Sequence, residues 1–335
     1  MRFMNELSTT TALYLLSKQI AQPTRHGNAS CPCCFNPTRS FVPKQFLPHQ
    51  FDFPIFDSHT HVHMIAPPPP PPPPPPSKKT KISSTSVVLA ISPDDWHDLF
   101  AHHAKNPQDT RIGVGIHPWF ARAFPINEYL PALRRHLSAN QSLIVGEIGL
   151  DKSARWIRDG DGSRDDNFDI QLNSFRRQFL LAGEYNRPTS VHLVNKVFVP
   201  FFDFLEEMRQ ANTPFPPTIS LHSYSGTSEF AAKILRFEKM IDPPNSRFFF
   251  GFSNYVNFND GRSEKSTKKL SDCLKRIPRD RILCESDTKG DCDNINEVYS
   301  TIESIASALD LDIATVANFT KKNGEAFLLQ QQKQS

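Results

Sequence analysis

His59 and His61 follow directly on the apolar stretch Phe53-Pro54-Ile55-Phe56-Asp57. In an extended strand alternate side chains point to the same side, so two residues at i and i+2 present both imidazoles to one spot. Imidazole is the commonest side-chain ligand for a divalent transition metal. The spacing therefore predicts a metal site at the end of a buried strand. Further donors stand at the ends of later apolar runs: Glu147, His192, His222 and Asp287. Four histidines and two acids are enough to hold two divalent ions with a shared carboxylate. The assignment is His59, His61 and Asp287 to one ion, His192 and His222 to the other, and Glu147 between them. Such a pair, roughly 3.5–4 Å apart, binds a phosphoryl oxygen, acidifies a bound water and stabilises a departing alkoxide. Asp287 is the group that accepts the water's proton, and with Glu147 makes up the catalytic carboxylates. Mixed nitrogen and carboxylate ligation suits zinc, manganese or a similar ion such as magnesium, and is too rich in nitrogen for calcium.

Elements must bring these positions together. Short β-branched or aromatic runs occur at Phe53–Asp57, Val87–Ile91, Ile112–Ile116, Leu143–Gly146, Thr189–His192, Thr218–Leu221, Arg247–Phe250 and Ile282–Glu285. Their starts are separated by 34, 25, 31, 46, 29, 29 and 35 residues. Each gap admits the crossover helix that a parallel strand pair requires. Ser92-Pro93-Asp94-Asp95 carries a helix start signal, with a cap, a first-turn proline and acids near the positive dipole end. Gln171–Tyr185, Val197–Met208 and Ile295–Leu309 show apolar residues at helical spacing. Eight such units predict a (β/α)8 TIM barrel, whose active site lies at the C-terminal ends of the strands, where the donors fall. A doubly wound open sheet is the competing architecture, but no glycine-rich phosphate fingerprint follows the first strand.

At 335 residues and 38% hydrophobic content the chain can bury a full core. A formal charge of +3 neither demands nor excludes a polyanionic partner. No apolar run is long enough to span a bilayer, so no membrane association is expected. The six cysteines are few, which favours reduced thiols and an intracellular, cytoplasmic or nuclear, setting. Cys31-Pro32-Cys33-Cys34 lacks a second ligand pair at zinc-finger spacing. Residues 1–50 read as an irregular extension, and residues 51–331 as the barrel. Within the barrel, residues 66–84 form a loop insertion after the first strand, built on the run Pro67 to Pro76. Proline fixes φ and offers no backbone donor, so this run is a polyproline II rod able to engage an SH3- or WW-type partner. The basic stretch Arg262 to Arg279 reads as a solvated helix face, and Phe248 to Phe252 as a buried strand. A monomer is expected.

Phe56-Asp57-Ser58-His59-Thr60-His61, Gly115-Ile116-His117-Pro118, Gly146-Glu147-Ile148-Gly149-Leu150-Asp151, Val191-His192, Leu221-His222-Ser223-Tyr224-Ser225-Gly226 and Leu283-Cys284-Glu285-Ser286-Asp287 resemble, in order, the TatD-type metal-dependent hydrolases of the amidohydrolase superfamily. The resemblance covers about residues 51–329. It implies a metal-dependent barrel hydrolase acting on phosphodiester bonds of DNA, a deoxyribonuclease with 3′→5′ exonuclease character. It also implies that His117 and Lys152 lie near the substrate, at a phosphate. Two departures stand out. Ser286 replaces the family's usual threonine, which keeps a hydroxyl, and the proline run stands where a helix normally joins the first two strands. Two other readings stay open: hydrolysis of an amide or ester in the same barrel, and an interaction protein that has lost turnover.

Overall fold

A computed structural model describes residues 53–64, 84–241, 247–258, 263–290 and 294–329. The irregular extension, the Cys31–Cys34 cluster and the polyproline run lie outside the described residues. The described residues all fall within one compact unit.

The eight strands are β1 (Ile55–Thr60), β2 (Ser84–Leu89), β3 (Thr110–Val114), β4 (Ile144–Asp151), β5 (Thr189–Val194), β6 (Thr218–His222), β7 (Arg247–Ser253) and β8 (Ile282–Glu285). They pair in sequence order, each neighbour parallel. The ring closes through the segment after β8. Asp287 N donates to His59 O at 3.0 Å, His61 N to Thr288 O at 2.7 Å, and Gly290 N to His61 O at 3.3 Å. Strands buried on both faces read as continuous apolar runs, and Val87 to Ala90 and Phe248 to Phe250 are each fully buried.

The helices in chain order are α1 (Trp96–Lys105), α2 (Ile126–Ala139), α3 (Arg155–Asp159), α4 (Arg164–Glu184), α5 (Phe198–Gln210), α6 (Ser228–Glu238), α7 (Asn254–Asn257), α8 (Glu264–Arg276), α9 (Asn294–Leu309) and α10 (Ile313–Leu329). Together with the strands they make the TIM barrel expected from the spacing. Phe56, Val87, Leu89, Ile144, Phe249, Leu283 and Phe327 form one buried cluster. Strands far apart in the ring meet in that cluster, so it fills the lumen, and α10 contributes Phe327 as its plug. On α8 only Cys273 and Leu274 are buried, so its lysines lie on a solvated face.

Of the boundaries that differ from the sequence reading, three matter for the site. β1 runs on to Thr60, which places His59 inside the ladder; its register shifts between Asp57 and Thr60. Such irregularities re-aim side chains, and this one spans His59. β4 continues past Gly146 through Glu147 to Asp151. Gly149 lies so close to β5 that a Cβ would sit 2.0 Å from His192 O, with φ at +156°. Glycine there lets the strand run on past Gly146. α4 begins at Arg164, because the Ser163 side chain accepts from Asp166 N and Asp165 and Asp166 favour the positive helix end.

Candidate metal centre

The strand register carries the donors upward from the plug. On β7 and β8, Phe249 and Leu283 belong to the lumen cluster, and two residues on stand Gly251 and Glu285. A Cβ on Gly251 would lie 2.3 Å from Glu285 Oε2, so the missing side chain makes the room the carboxylate occupies. Above that level His59, His61, His117, Glu147, His192, His222 and Asp287 converge, all nearly inaccessible to solvent.

Glu147 is the hub. Its Oε2 lies 3.6 Å from His59 Nε2 and 3.3 Å from His61 Nε2. Its Oε1 lies 2.9 Å from His192 Nδ1, 3.4 Å from His222 Nε2 and 3.3 Å from His117 Nε2. One carboxylate thus divides the rings into two groups, one oxygen facing each. His59 Nε2 and His61 Nε2 stand 3.2 Å apart, and the rings of His59 and His222 stack with centroids 3.7 Å apart. Asp287, with φ at +53°, turns its carboxylate to within 4.0 Å of His61 Nε2 and 3.9 Å of His222 Nε2.

The outer nitrogens settle which ring atom is free. His61 Nδ1 lies 2.7 Å from the carbonyl of Leu89, and a carbonyl only accepts, so Nδ1 bears the proton and Nε2 keeps its lone pair. His222 Nδ1 meets Glu285 Oε1 at 3.0 Å, which turns Nε2 inward. His59 Nδ1 pairs with Ser190 Oγ at 3.0 Å. His192 Nε2 faces Asp151 Oδ2 at 3.4 Å, leaving Nδ1 toward Glu147. Carboxylate or carbonyl partners on the outer nitrogen are the arrangement that orients metal-binding histidines.

His117 differs. Its Nδ1 accepts from Trp119 N at 3.1 Å, capping the short turn Pro118–Phe120. The neutral ring must therefore carry its proton on Nε2, the atom facing Glu147. Although His117, Glu147 and His192 are spaced closely enough to hold an ion, this tautomer makes His117 a donor into the site.

Burial of so many ionisable groups distorts their titration. Burial, then the neighbouring His222, drives His59 down to about 3. Burial opposes charge on His222, but Glu285, Asp287 and Glu147 outweigh it and bring the ring up to about 10. His192 follows the same pattern, with Asp151 and Glu147 raising it to about 9. Burial pushes Asp287 up to about 6 against the pull of His222 and His61. Glu147 stays well below the usual carboxylate range because its ring neighbours overcome burial.

Does this donor set fit divalent cations? Asp287 Oδ1 is buried with no hydrogen-bond partner, and buried polar atoms are rarely left so. Nε2 of His61 and of His222 points at carboxylate oxygens, and His222 balances that negative charge only by holding an extra proton. A cation resolves both mismatches, and the set of imidazoles and carboxylates suits zinc, manganese or a similar ion. Among the described residues, His59, His61 and Glu147 form one metal-capable group, and His59, His222 and Glu285 another.

The structure thus gathers all six ligands expected from the sequence, and seats His117 among them. Lys152 stands apart: it is half-buried on the loop after β4, its Nζ 4.3 Å from the centre of the Phe168 ring. Four contributors were given no role from sequence: Glu285, Asp151, Ser190 and Asp57. Glu285 precedes Asp287 by two residues, the same alternation that marks His59 and His61. Asp57 accepts from Ser286 N (2.9 Å), Ser286 Oγ (2.6 Å) and His59 N (3.3 Å), tying β1 to the segment that carries Asp287. A serine hydroxyl serves that bond, which accounts for Ser286 filling the threonine position.

Comparison with known proteins bears on the same residues. The family model of TatD-related DNases matches residues 56–329, from the first strand to the end of α10. The chain belongs to the TatD-related DNase family. It is accordingly a metal-dependent hydrolase of the TatD type. Among curated proteins it is 26% identical over 238 residues to Cut9-interacting protein scn1 of Schizosaccharomyces pombe, covering 61% of this chain and 68% of that one. It is also 26% identical over 221 residues to the uncharacterized metal-dependent hydrolase YabD of Bacillus subtilis, covering 63% and 74%. Among solved structures, YJJV, a TatD homologue from Escherichia coli, superposes with a TM-score of 0.59 at 17% identity, covering 82% of this chain and 97% of that one. At that identity the likeness speaks for the fold alone.

Proposed function

We propose that this TatD-type hydrolase is a deoxyribonuclease that cleaves phosphodiester bonds with 3′→5′ exonuclease character, using two divalent ions. The observation that carries the reading is Glu147, whose two oxygens each face a separate set of imidazoles. His59, His61 and Asp287 would hold one ion, His192 and His222 the other, with Glu147 shared. The chemistry such a pair supplies is polarisation of a phosphoryl oxygen, a water acidic enough to attack at neutral pH, and charge neutralisation at the leaving oxygen. The chain's own groups do the rest. Asp287 Oδ1, unpartnered at the centre, accepts the proton of the attacking water. His117, fixed as the Nε2–H tautomer, points that proton at Glu147 Oε1 and would turn it to a phosphoryl oxygen once ions hold the carboxylate. Lys152, held against Phe168, supports a neighbouring phosphate by charge. The buried floor of Ser190, Ser220 and Glu285 keeps bulk water out from below.

The test is degradation of end-labelled single-stranded DNA by the zinc- or manganese-loaded protein, alongside chromogenic phosphodiester, ester and amide substrates. DNA shortened from its 3′ end is expected, with a loss of about a hundred- to a thousandfold in Glu147→Ala. Turnover of amides alone, or DNA cleavage unaffected by Glu147→Ala, would overturn the reading. The relative scn1 is a Cut9-interacting protein, which favours a second role in binding a protein partner; pull-down with the Glu147→Ala chain separates binding from turnover. The Pro67 to Pro76 run is proposed as a ligand for an SH3 or WW domain. An intracellular setting is proposed on the buried free thiols Cys273 and Cys284, and no helix among the described residues is long and apolar enough to cross a membrane. A monomer is proposed.

A further inference from the structure

His192, like His222, has both ring nitrogens facing carboxylates, here Glu147 inside and Asp151 outside. Its orientation therefore depends on what fixes Asp151. Asp151 is itself buried and fully engaged. Its Oδ1 accepts from Ser153 N at 2.7 Å and Ser153 Oγ at 2.6 Å. Its Oδ2, the oxygen toward His192, accepts from Trp119 Nε1 at 2.5 Å. Its backbone N–H donates to Gln171 Oε1 at 2.7 Å, which holds the strand end in place. Trp119 is half-buried at the mouth, and its main-chain N–H separately caps His117.

We infer that Trp119 is a positioning residue. Its indole N–H pins the Asp151 oxygen that orients His192, and so sets the affinity of the ion held by His192, His222 and Glu147. A carboxylate with one oxygen released can swing about its χ2 axis, which is soft for this side chain. His192 would then lose the partner that selects which of its nitrogens points inward. Indole has a single donor and no acceptor, so nothing else on the ring can take over the contact. Because the tautomer of His117 is set by a main-chain N–H, changing the Trp119 side chain leaves that ring's cap in place. The two effects of Trp119 can thus be told apart.

The inference rests on the two-ion reading above, and the experiment separates them. Zn²⁺ is titrated into apo protein against a chromogenic chelator, for wild type, Trp119→Phe, Asp151→Asn and the double variant, with thermal melting of each to check folding. Wild type is expected to take up two ions. Trp119→Phe is expected to weaken the weaker-bound or the tighter-bound ion, but only one of them, by about tenfold, the size typical of losing an outer partner of a ligating histidine. In the Asp151→Asn background the same change is expected to add less than about twofold, since the indole acts through that carboxylate. Two wild-type affinities in Trp119→Phe, equal weakening of both ions, or full additivity with Asp151→Asn would overturn the inference. Should Trp119→Phe fail to fold, Asp151→Asn alone decides: two unaltered zinc affinities in that variant overturn the inference just as well. Wild type that takes up no zinc overturns both this and the two-ion reading. Wild type that binds two ions yet leaves DNA intact overturns only the deoxyribonuclease reading, and the zinc cycle still decides the role of Trp119.

Discussion

Replacing Gly251 by alanine should damage the metal centre from behind, without touching a ligand. The added Cβ would lie 2.3 Å from Glu285 Oε2, 2.9 Å from Cδ and 3.2 Å from Oε1. Ordinary contact begins near 3.4 Å, so the carboxylate must retreat by about 1 Å. A glutamate is usually flexible enough to give way, but this one is tethered. Its Oε1 accepts from Ser223 N (2.5 Å), Ser223 Oγ (2.9 Å) and His222 Nδ1 (3.0 Å). A retreat of that size breaks at least one of these bonds, and a hydrogen bond to a charged group contributes about 1.5–3 kcal/mol. For a chain of this size, each kcal/mol lowers the melting temperature by about 2–4 °C. The apo protein should therefore melt about 3–12 °C lower. His222 loses the partner that keeps Nδ1 protonated, so zinc affinity at one site should fall roughly 10–100-fold. Melting curves of the apo protein and zinc titration against a chelator read the two effects. A variant that melts within 1–2 °C of wild type (about the shift expected if no charged bond is lost) and binds zinc normally would refute the claim that Glu285 is rigidly held and orients His222.

Other expectations follow from the same contacts. His192 and His222 are raised to about 9 and 10 in the apo protein, so the folded state holds their protons more tightly than the unfolded chain. That stabilisation is fully present below the ordinary histidine value near 6.5 and is lost as pH climbs through 9 and 10. Apo melting temperatures should accordingly fall between pH 7 and 10 (roughly the span over which those rings discharge). Zinc requires unprotonated rings, so its binding should release protons and tighten as pH rises across that window; calorimetry in buffers of different ionisation enthalpy would detect this, and pH-independent affinity would count against it. Asp57→Ala strips the acceptor from Ser286 N and Oγ at the barrel seam. It should cost about 1–3 kcal/mol for each donor left unsatisfied, measurable by urea unfolding, and an unchanged midpoint would show that the seam is held elsewhere.

Much of the site could be read from the chain because its ligands are short-range signals. The alternation of His59 and His61, and the placement of Glu147, His192, His222 and Asp287 at the ends of apolar runs, follow from strand period and barrel topology. What the pattern concealed was the layer behind the ligands. Ser190 and Glu285 read as unremarkable buried polar positions until the strands that face them are known, since the partners of Glu285 come from Ser223 and His222, over sixty residues away. Trp119 resembles any rim aromatic in sequence; only the fold sets its indole N–H against Asp151, 32 residues on. The end of β4 is hidden in the sequence, because glycines that ordinarily end a strand are here what allows it to run beside β5. The start of α4 was hidden for the opposite reason. Its first turns, from Arg164 to Asp169, carry a single apolar residue, Phe168, and only the Ser163 cap with Asp165 and Asp166 announces them.

Diffraction from zinc-soaked crystals at the zinc absorption edge tests the central claim most directly. Two anomalous peaks should flank Glu147, one within ligand reach of His59 and His61 and the other of His192 and His222, at roughly 2.0–2.2 Å from their donor atoms. A single peak, none, or zinc bound away from Glu147 would contradict a two-ion hydrolase centred on that carboxylate.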